Sequence, residues 1–595
     1  MLTILNKKKV VKSLGALALC GILCTSCEDF LTIYPTDKTT GKDFWKKKEH
    51  VDEMMGGAYL QMINSNIEER AIMWGMFRSD DVTQSENYDN NDLEYISAVN
   101  LYPSQGICNW SGFYNVINRC NLVLKHAPEV LELDPEFTTG DYEVVRGQML
   151  ALRGLCHFYL LRAFRDIPYS EYGYESDDEI TYPTQKTPAE ALALCIRDLE
   201  EAAGLVMKSG AYNDWRDFGY ITRDAVWSIL ADVYLWRASM THNIEGSNSQ
   251  ADYQKAVEYC EKVIDSKDQY YQKNYSNYLE TAPDKDRYHL YKWSAMGNTP
   301  MFNIFVNGNS RESILELQYD GRNNSNNTLR DFLFRSSNTS GYSRLMASQI
   351  FNSVSSENAN TTEASKAFFS EDDYRFWSYV YNVNDENLLE LNIRKYATET
   401  GIAPDMEGNG AEWPVGIRAH NDQFNQNWIL YRLTDIMLME AEALTQIGDS
   451  ASLANAFELV KAVNDRSMLD KSDDLLKAEE YATDKGKMEQ LVLCERQREL
   501  SFECKRWFDL LRFGYRHMEG VDINTLMADQ ATWPALYSPM VSLAARSYIS
   551  GGDIFNLKMK SEPHLYWPIY EGEMDVNKNL KQNPVFVQDE TLIRQ

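Results

Sequence analysis

The stretch "VVRGQMLALRGLCHFYLLRAFRDIPY", residues 144–169, decides the fold class of this chain. Its apolar and small side chains recur every three or four residues, at Val145, Met149, Leu152, Cys156, Tyr159 and Ala163. This spacing places them on one face of a long α-helix. We expect the helix to end at Asp166-Ile167-Pro168, because proline lacks a backbone donor and disfavours helix in the residue before it.

Similar patterns to either side predict further helices. "TPAEALALCIRDLEEAAGLV" (187–206) begins with an N-cap threonine followed by proline, as helices often do. "RDAVWSILADVYLWRASM" (223–240) and "YQKAVEYCEKVIDS" (253–266) carry small and apolar residues at the positions of a tetratricopeptide helix pair. "DIMLMEAEALTQIGDSASLANAFELVKAVNDRS" (435–467) repeats this scheme. The sequence therefore predicts a mainly α fold with degenerate tetratricopeptide-type helix pairs.

The organisation of the chain follows from changes in composition. We predict a signal peptide at 1–26 and a single domain at 27–595. Polar, loop-rich segments such as "GRNNSNNT" and "GIAPDMEGNGAEWP" interrupt the helical pattern, and long loops are where binding surfaces usually lie. The expected parts of the domain are an N-terminal tether at 27–50, helical repeats at 51–265, a loop-rich binding region at 266–425, a helical repeat at 426–520 and an irregular C-terminal region at 521–595.

The charge of the chain limits its partners. Its 595 residues carry a formal net charge of −29, from 88 acidic and 59 basic side chains. Nucleic acids are bound by neutralising their phosphates with Lys and Arg, so we expect no nucleic-acid partner. Anionic lipid surfaces are disfavoured for the same reason, whereas a neutral ligand is compatible with this charge.

The N-terminus has the pattern of a secretory signal peptide. A basic segment, "NKKKVVK", precedes an uncharged run from Ser13 to Ser26 that is too short to span a bilayer. An ordinary signal peptidase would accept the small residues before Cys27, and a lipoprotein peptidase would cut at Cys27 itself. We favour lipidation of Cys27, because the two earlier cysteines each follow a leucine. No later stretch is long and apolar enough to be a transmembrane helix.

Catalytic and metal-binding motifs are missing from the sequence. It holds no Gly-x-Ser-x-Gly elbow, no phosphate-binding Gly-rich loop and no His-Glu-x-x-His. The histidines are scattered, and the seven cysteines after Cys27 lack metal-type spacing, which favours a role in the core. The acidic segment "SDDVTQSENYDNNDLE" (79–94) lacks the glycine and spacing of an EF-hand. We therefore predict no catalytic residue, no metal site and no cofactor.

The charged stretch "CERQRELSFECKRWFDLLRFG", residues 494–514, has two interpretations. Opposite charges stand three residues apart in four places, as on a helix surface. They predict a helix that salt bridges hold against its neighbours, and the alternative is an anion site built from arginines. We favour the first interpretation. The apolar stripe expected for this helix consists of Leu500, Cys504, Trp507 and Leu511.

Eight segments, taken together and in order, resemble the SusD/RagB family of Bacteroidetes outer-membrane lipoproteins. Each is weak alone, but the ordered set is specific. Three scaffold segments depart from the family: Cys504 stands where glycine is usual, "RLTDIMLMEAEA" replaces "YADVLLMYAEA", and Pro568-Ile569-Tyr570 replaces "PIP". The matching segments are "CEDFL" (27–31), "YNVINRCN" (114–121), "ALRGLCHFYLLRAFRDIPY" (151–169), "ITRDAVWSILADVYLWRA" (221–238), "NSRESILELQY" (309–319), "ILYRLTDIMLMEAEAL" (429–444), "ERQRELSFECKRWFDLLRFG" (495–514) and "YWPIYEGEMDVNKNLKQNPVF" (566–586).

The resemblance implies a SusD-like helical scaffold with long loop excursions and no enzymatic activity. It also implies a lipid-anchored protein on the outer membrane that faces the cell exterior, and Glu28-Asp29 resembles the acidic export tag of such lipoproteins. Family members capture glycans and pass them to a partner SusC-like TonB-dependent transporter. Two alternatives stay open: a peptide-binding member of the RagB branch and, less favoured, a surface glycoside hydrolase with an unrecognised carboxylate pair.

The family has no short ligand-binding motif, so the candidate site residues are chosen by position. Flat aromatic faces suit the C–H faces of sugars, and polar side chains nearby would bind the hydroxyl groups. The segment "MWGMFRSDD" follows the first helix, in a region that the family often uses, and other aromatic residues precede a later helix or lie in the long loops. The candidates are Trp74, Arg78, Asp80, Asp81, Trp110, Tyr291, Trp293 and Trp413.

Overall fold

The fold is known from a computed structural model of the chain. It describes residues 44–63, 65–85, 91–279, 287–292, 300–333, 343–352, 368–369, 373–381, 391–396, 424–468, 476–527, 530–548 and 552–587. These residues are mostly helical, which confirms the predicted fold class. The buried apolar side chains form a core to which both halves of the chain contribute, from Trp45 to Leu580.

The helix expected from residues 145–163 is present as Thr139–Phe164 and lies at the centre of the N-terminal half. A capping box starts it, in which Thr138 accepts from the backbone of Asp141. Every side chain from Gly147 to Phe164 is buried, so the helix is covered all round rather than on one face. A Cβ atom at Gly147 would lie 2.8 Å from Leu205, and this close approach explains the glycine.

The helices of the N-terminal half pack as neighbours in sequence, since short connections favour antiparallel pairs. The second helix of the predicted pair at 223–266 continues past residue 265, so the helical region extends beyond its predicted boundary. The helices are α1 (Lys48–Met62), α2 (Ser65–Ile72), α3 (Asn91–Ser97), α4 (Ser111–Leu133), α5 (Thr139–Phe164), α6 (Pro188–Leu205), α7 (Arg216–Gly219), α8 (Arg223–Met240) and α9 (Ser249–Leu279).

The C-terminal half adds a second group of helices. Its first long pair, α12 and α13, corresponds to the predicted repeat at 435–467, and α12 also packs against α9. The tetratricopeptide character of these pairs stays a prediction. The helices are α10 (Asn327–Leu333), α11 (Tyr374–Tyr379), α12 (Leu433–Ile447), α13 (Ser450–Ser467), α14 (Ala478–Tyr481), α15 (Lys485–Leu500), α16 (Arg506–His517), α17 (Ser538–Ala544), α18 (Gly552–Lys558) and α19 (Glu571–Val576).

The prediction of one continuous helix over 494–514 is wrong. A turn at residues 501–505 separates α15 from α16. Phe502 and Cys504 have φ values of 64° and 61°, in the left-handed region that only glycine enters without cost. The backbone at Cys504 thus has a conformation that glycine adopts without strain.

Short strands and single helical turns complete the described residues. The strands form antiparallel pairs β1–β3, β2–β6 and β4–β5. None of the helices in the described part of the chain is long and apolar enough to cross a membrane. The strands are β1 (Val82–Gln84), β2 (Ser313–Leu317), β3 (Leu345–Ala347), β4 (Val380–Tyr381), β5 (Asn392–Ile393) and β6 (Trp428–Arg432). The π turns are Met73–Phe77 and Phe302–Val306, and the 3-10 turns are Gly106–Cys108, Asp177–Glu179, Gln349–Asn352, Gln530–Thr532, Ala545–Ser547, Glu562–Leu565 and Pro584–Phe586.

Candidate ligand-binding surface

The predicted candidates Trp74 and Arg78 lie inside the protein. The Trp74 indole donates to the carbonyl of Ile107 at 3.1 Å. The Arg78 guanidinium lies between the rings of Trp507 and Trp567, 4.5 and 4.8 Å from their centroids, and burial lowers its pKa to about 9. Both side chains are buried by their own neighbours and present no surface to a ligand.

Asp80 and Asp81 are also buried, and they form a small polar cluster. Asp80 accepts a hydrogen bond from Arg506 Nε at 2.7 Å and forms an ion pair with Arg546, whose Nη2 lies 2.8 Å from Asp80 Oδ2. Burial would raise the pKa of Asp80, but the charges of Arg506 and Arg546 lower it overall. Asp81 accepts from Gln497 at 3.0 Å, and burial, followed by the charge of Asp80, raises its pKa to about 7.

The other candidates have different positions. Trp110 is buried, with its ring edge-on to that of Phe164 at 5.0 Å. Tyr291 is half-buried, and the guanidinium of Arg311 covers its ring at 3.9 Å. Trp293, Trp413 and the lipidation candidate Cys27 lie outside the described residues.

The structure places five candidates, Trp74, Arg78, Asp80, Asp81 and Trp110, against other parts of the chain. All five are buried, and a role for them in ligand binding stays a prediction. Aromatic residues that follow helices are needed equally by the core and by binding sites, and the sequence pattern does not separate the two uses.

The sequence interpretation missed two exposed tyrosines on and just after α3. Tyr95, on α3, and Tyr102, just after it, are 44 % and 42 % exposed, and their ring centroids are 5.8 Å apart in an edge-to-face arrangement. We call this pair the tyrosine surface. On α3 the flanking Leu93 and Ile96 face the core, so Tyr95 stands outside the apolar stripe. A large aromatic residue outside the stripe of a short helix is the sequence signal that identifies it.

Contacts from the C-terminal region hold the tyrosine surface in place. The Tyr548 hydroxyl donates to the carbonyl of Ser97 at 2.6 Å. Lys558, at the end of α18, donates to the carbonyl of Ala98 at 2.8 Å and also to the side chain of Asn100. The backbone between the two tyrosines is therefore fixed by tertiary contacts, which orders both rings before any ligand binds.

A second group of exposed tyrosines, Tyr172 and Tyr182, lies on the loop before α6. Asn579, in the C-terminal region, donates to the carbonyl of Tyr182 at 2.7 Å. Within the described residues neither ring has another aromatic ring packed against it, in contrast to the tyrosine surface. Paired rings offer a larger ordered apolar area, so the tyrosine surface is the better candidate for ligand binding.

The arginines of the stretch 494–514 do not form an open anion site. Glu499 is fully buried and accepts from Arg432 at 2.6 Å, from Arg375 at 3.1 Å and from Arg466. We call these four residues the Glu499 cluster. Burial would raise the pKa of Glu499, but the three arginines hold it well below its usual value.

The three arginines around Glu499 come from other elements, and the arginines of the stretch 494–514 are themselves paired with carboxylates. Of the four predicted pairs three residues apart, Glu495–Arg498 and Asp509–Arg512 are present, at 3.0 and 2.7 Å. The other charges pair with residues on different elements, such as Arg496 with Asp435 and Arg506 with Asp80. The structure therefore agrees with the salt-bridge interpretation. Several of these bridges join different helices instead of residues within one helix.

The described residues give little support for a metal site or a reactive thiol. They contain no group of three or more His, Cys, Asp or Glu side chains placed to hold a metal ion. Six of the seven cysteines there are buried, as expected of core residues, and Cys494 is exposed. Burial raises the pKa of Cys156 and Cys260 well above the usual value of a thiol, which leaves both in the unreactive protonated form.

Comparison with known proteins identifies the family. Residues 246–586 match the model of the SusD family, and residues 29–235 match a model described as "Starch-binding associating with outer membrane". The chain belongs to the SusD family, as the ordered segments predicted.

Individual relatives are distant but cover the chain. The SusD-like protein P38 of Formosa agariphila is 23 % identical over 528 residues, which are 88 % of this chain and 94 % of the relative. A SusD superfamily protein of Bacteroides vulgatus has a TM-score of 0.62 at 18 % identity, over 91 % of this chain and all of its own. Surface glycan-binding protein A of Bacteroides thetaiotaomicron, solved with laminarihexaose, has a TM-score of 0.57 at 17 % identity, over 90 % of this chain and all of its own.

Proposed function

We propose that this protein is a lipid-anchored glycan-binding protein of the outer cell surface that delivers its ligand to a SusC-like TonB-dependent transporter. The observation that carries the proposal is the tyrosine surface, an exposed and ordered aromatic pair on a SusD-family scaffold. Two findings support it: one matching family model is described as starch-binding, and a protein of similar fold was solved with a glucan oligosaccharide.

Capture of the glycan rests on ring faces and polar neighbours. The rings of Tyr95 and Tyr102 offer apolar faces to the C–H groups of sugar rings, and their hydroxyls stay in water. Asn100 lies between the two tyrosines in the sequence, and its side-chain oxygen accepts from Lys558. Each such contact is weak, so affinity for a long polysaccharide comes from several contacts or several copies at once. Weak contacts also suit a protein that must release its ligand to a transporter.

Anchoring rests on the N-terminal pattern. Acyl chains on Cys27 would bury methylene groups in the membrane, which is sufficient for stable attachment when more than one chain is present.

Binding to immobilised polysaccharides tests the proposal. We expect the wild-type protein to retain at least one polysaccharide without releasing oligosaccharides, and Tyr95→Ala with Tyr102→Ala to abolish retention. The matched control is Tyr172→Ala with Tyr182→Ala, which removes two exposed tyrosines elsewhere and should bind normally. Equal loss in both variants would contradict the placement of the site.

The same assay separates the alternatives. Released oligosaccharides would indicate a glycoside hydrolase, and retention of peptides with no polysaccharide bound would indicate a RagB-type protein. Partner and anchor are tested in cells: a tagged protein should co-purify with a TonB-dependent transporter, and Cys27→Ser should be lost from the membrane fraction. Retention of Cys27→Ser in that fraction would contradict lipid anchoring.

A further inference from the structure

The turn that joins Tyr95 to Tyr102 has an unusual backbone. The two rings lie 5.8 Å apart although residues 96–101 separate them in the chain, so the backbone must reverse its direction between them. The reversal occurs at Val99, whose φ of 53° lies in the left-handed region. A β-branched residue is strained there, because its Cβ comes too close to the following carbonyl oxygen.

Hydrogen bonds identify this turn as a Schellman motif at the end of α3. The amide of Asn100 donates to the carbonyl of Tyr95 at 2.7 Å, and the amide of Val99 donates to that of Ile96 at 3.0 Å. In this motif the left-handed residue is usually glycine. Here it is valine, whose side chain is buried and belongs to the core. The paired rings therefore depend on a backbone conformation that the local sequence disfavours.

Lys558 bonds to the residues on both sides of Val99. Its Nζ donates to the carbonyl of Ala98 at 2.8 Å and to the side-chain oxygen of Asn100. Within the described residues its hydrogen bonds go to these two oxygens only. A cation also suits the C-terminal carbonyls of a helix, and α3 has no basic residue in its own last turn.

These contacts explain how valine is tolerated in the turn. A strained backbone persists only where the surrounding structure holds it in place. Burial of the Val99 side chain and the two bonds from Lys558 supply that restraint from outside the turn. Tertiary contacts thus do what a glycine would do locally.

We infer that Lys558 is a positioning residue of the tyrosine surface, which holds the strained turn at Val99 and through it the arrangement of Tyr95 and Tyr102. The inference rests on the proposed function for its effect on glycan binding. Lys558 acts without touching the ligand, because its effect reaches the rings through the backbone of residues 98–100. Without it the turn would relax in part of the molecules, and the apparent affinity would fall with the fraction that keeps the paired rings.

The test compares Lys558→Met with the double variant Lys558→Met and Val99→Gly. We expect Lys558→Met to bind the polysaccharide that the wild-type protein retains about tenfold more weakly, the size of effect of losing a hydrogen bond from a charged group. The double variant should recover most of this affinity, because glycine enters the left-handed region without strain. Tyr548→Phe, which removes only the bond to the Ser97 carbonyl, should have a smaller effect in the direction of Lys558→Met.

The rescue separates positioning from general stability. Val99→Gly removes a buried side chain, so it should lower the melting temperature. A double variant that binds better but melts earlier than Lys558→Met therefore shows that stability does not explain the loss of affinity. The matched control is Lys560→Met, which removes an exposed lysine from the same segment and should leave the affinity unchanged.

Hydrogen exchange tests the inference without a ligand. The amides of Val99 and Asn100 form the bonds of the turn, so a peptide that covers residues 95–102 should exchange faster in Lys558→Met. Its exchange should return toward the wild-type rate in the double variant. If the wild-type protein retains no polysaccharide, the proposed function fails, and this measurement still decides the role of Lys558.

Three results would overturn the inference. The first is unchanged exchange of this peptide in Lys558→Met, and the second is wild-type affinity in that variant. The third is a loss of affinity that Val99→Gly does not restore. Glycan binding that the tyrosine substitutions abolish but Lys558→Met leaves intact would contradict this inference alone.

Discussion

The Glu499 cluster and the tyrosine surface use polar and aromatic side chains in opposite ways. In the cluster, one buried carboxylate meets three arginines that come from α11, β6 and α13, and all four residues are shielded from water. At the tyrosine surface, two rings remain about half exposed and pack against each other edge to face.

The difference shows how a scaffold and a binding site are told apart in this fold. Buried charges are costly unless each finds a partner, so a fully compensated cluster stabilises one arrangement of the chain. A binding surface needs groups that are ordered but still unsatisfied. The presence of charged and aromatic residues does not by itself identify the proposed site. What identifies it is that its polar groups and ring faces are not fully covered or paired by other parts of the chain.

The largest effect should come from breaking the cluster. Glu499→Gln would leave three buried arginines with less than their required negative charge, and we expect it to lower the free energy of unfolding by about 4 kcal/mol. Denaturant unfolding followed by circular dichroism measures this. The control is Asp575→Asn, which removes an exposed partner of Lys578 three residues away and should leave stability unchanged within error.

A smaller effect on stability is expected at a buried carboxyl whose charge is not balanced by several arginines, as that of Glu499 is. Glu440 on α12 is 7 % exposed, and its Oε2 has no hydrogen-bond partner within the described residues. Burial is the main reason why the pKa of Glu440 is raised to about 8. The charges of Glu261 and Asp265 raise this pKa too, and the charge of Arg287 lowers it.

The sign of the pH effect follows from this shift. The unfolded chain would lose the Glu440 proton near pH 4.5, and the folded chain holds it to about pH 8, so stability falls as pH rises between these values. Glu440→Gln should therefore exceed the wild type in unfolding free energy at pH 8.5, by about 2 kcal/mol, and match it near pH 5. Unfolding curves at the two pH values measure this, and equal stability at both would contradict it.

The next effect concerns affinity rather than stability. Tyr95→Ala and Tyr102→Ala should each weaken polysaccharide binding about tenfold, since each removes one aromatic face. Because the rings pack against each other, the double substitution should weaken binding by a factor smaller than the product of the two single factors. Isothermal titration with a soluble oligosaccharide measures this, and unchanged unfolding curves would show that the loss is not structural.

The sequence predicted the long helix α5 and the pair α12–α13 because their apolar periodicity is local and strong. It failed between Leu500 and Arg506, where the pattern continues but the backbone turns. A Cβ atom on Gly75 would lie 2.3 Å from the Cys504 carbonyl, so a distant segment packs directly onto this turn. Periodicity carries no information about such a contact.

The candidate site shows the same limit. Trp74 and Trp110 were chosen for their aromatic rings and their places beside helices, and both are buried. Tyr95 and Tyr102 are two of 36 tyrosines; the only local signal is the place of Tyr95 outside the apolar stripe of α3, and Tyr102 has no signal that separates it from the buried Tyr59 or Tyr253. The ion pair of Arg546 with Asp80 joins residues more than four hundred positions apart, so no local pattern indicates it.

The sequence by itself determined the family, the helical class and the absence of known catalytic motifs, because these depend on residue types and spacings along the chain. Only the tertiary structure decided which side chains face water and which charges are compensated. Exposure and charge pairing are properties of residues brought together from distant segments, as with Asp80, Arg506 and Arg546. The binding surface is defined by those properties, so it could be found only after the chain was folded.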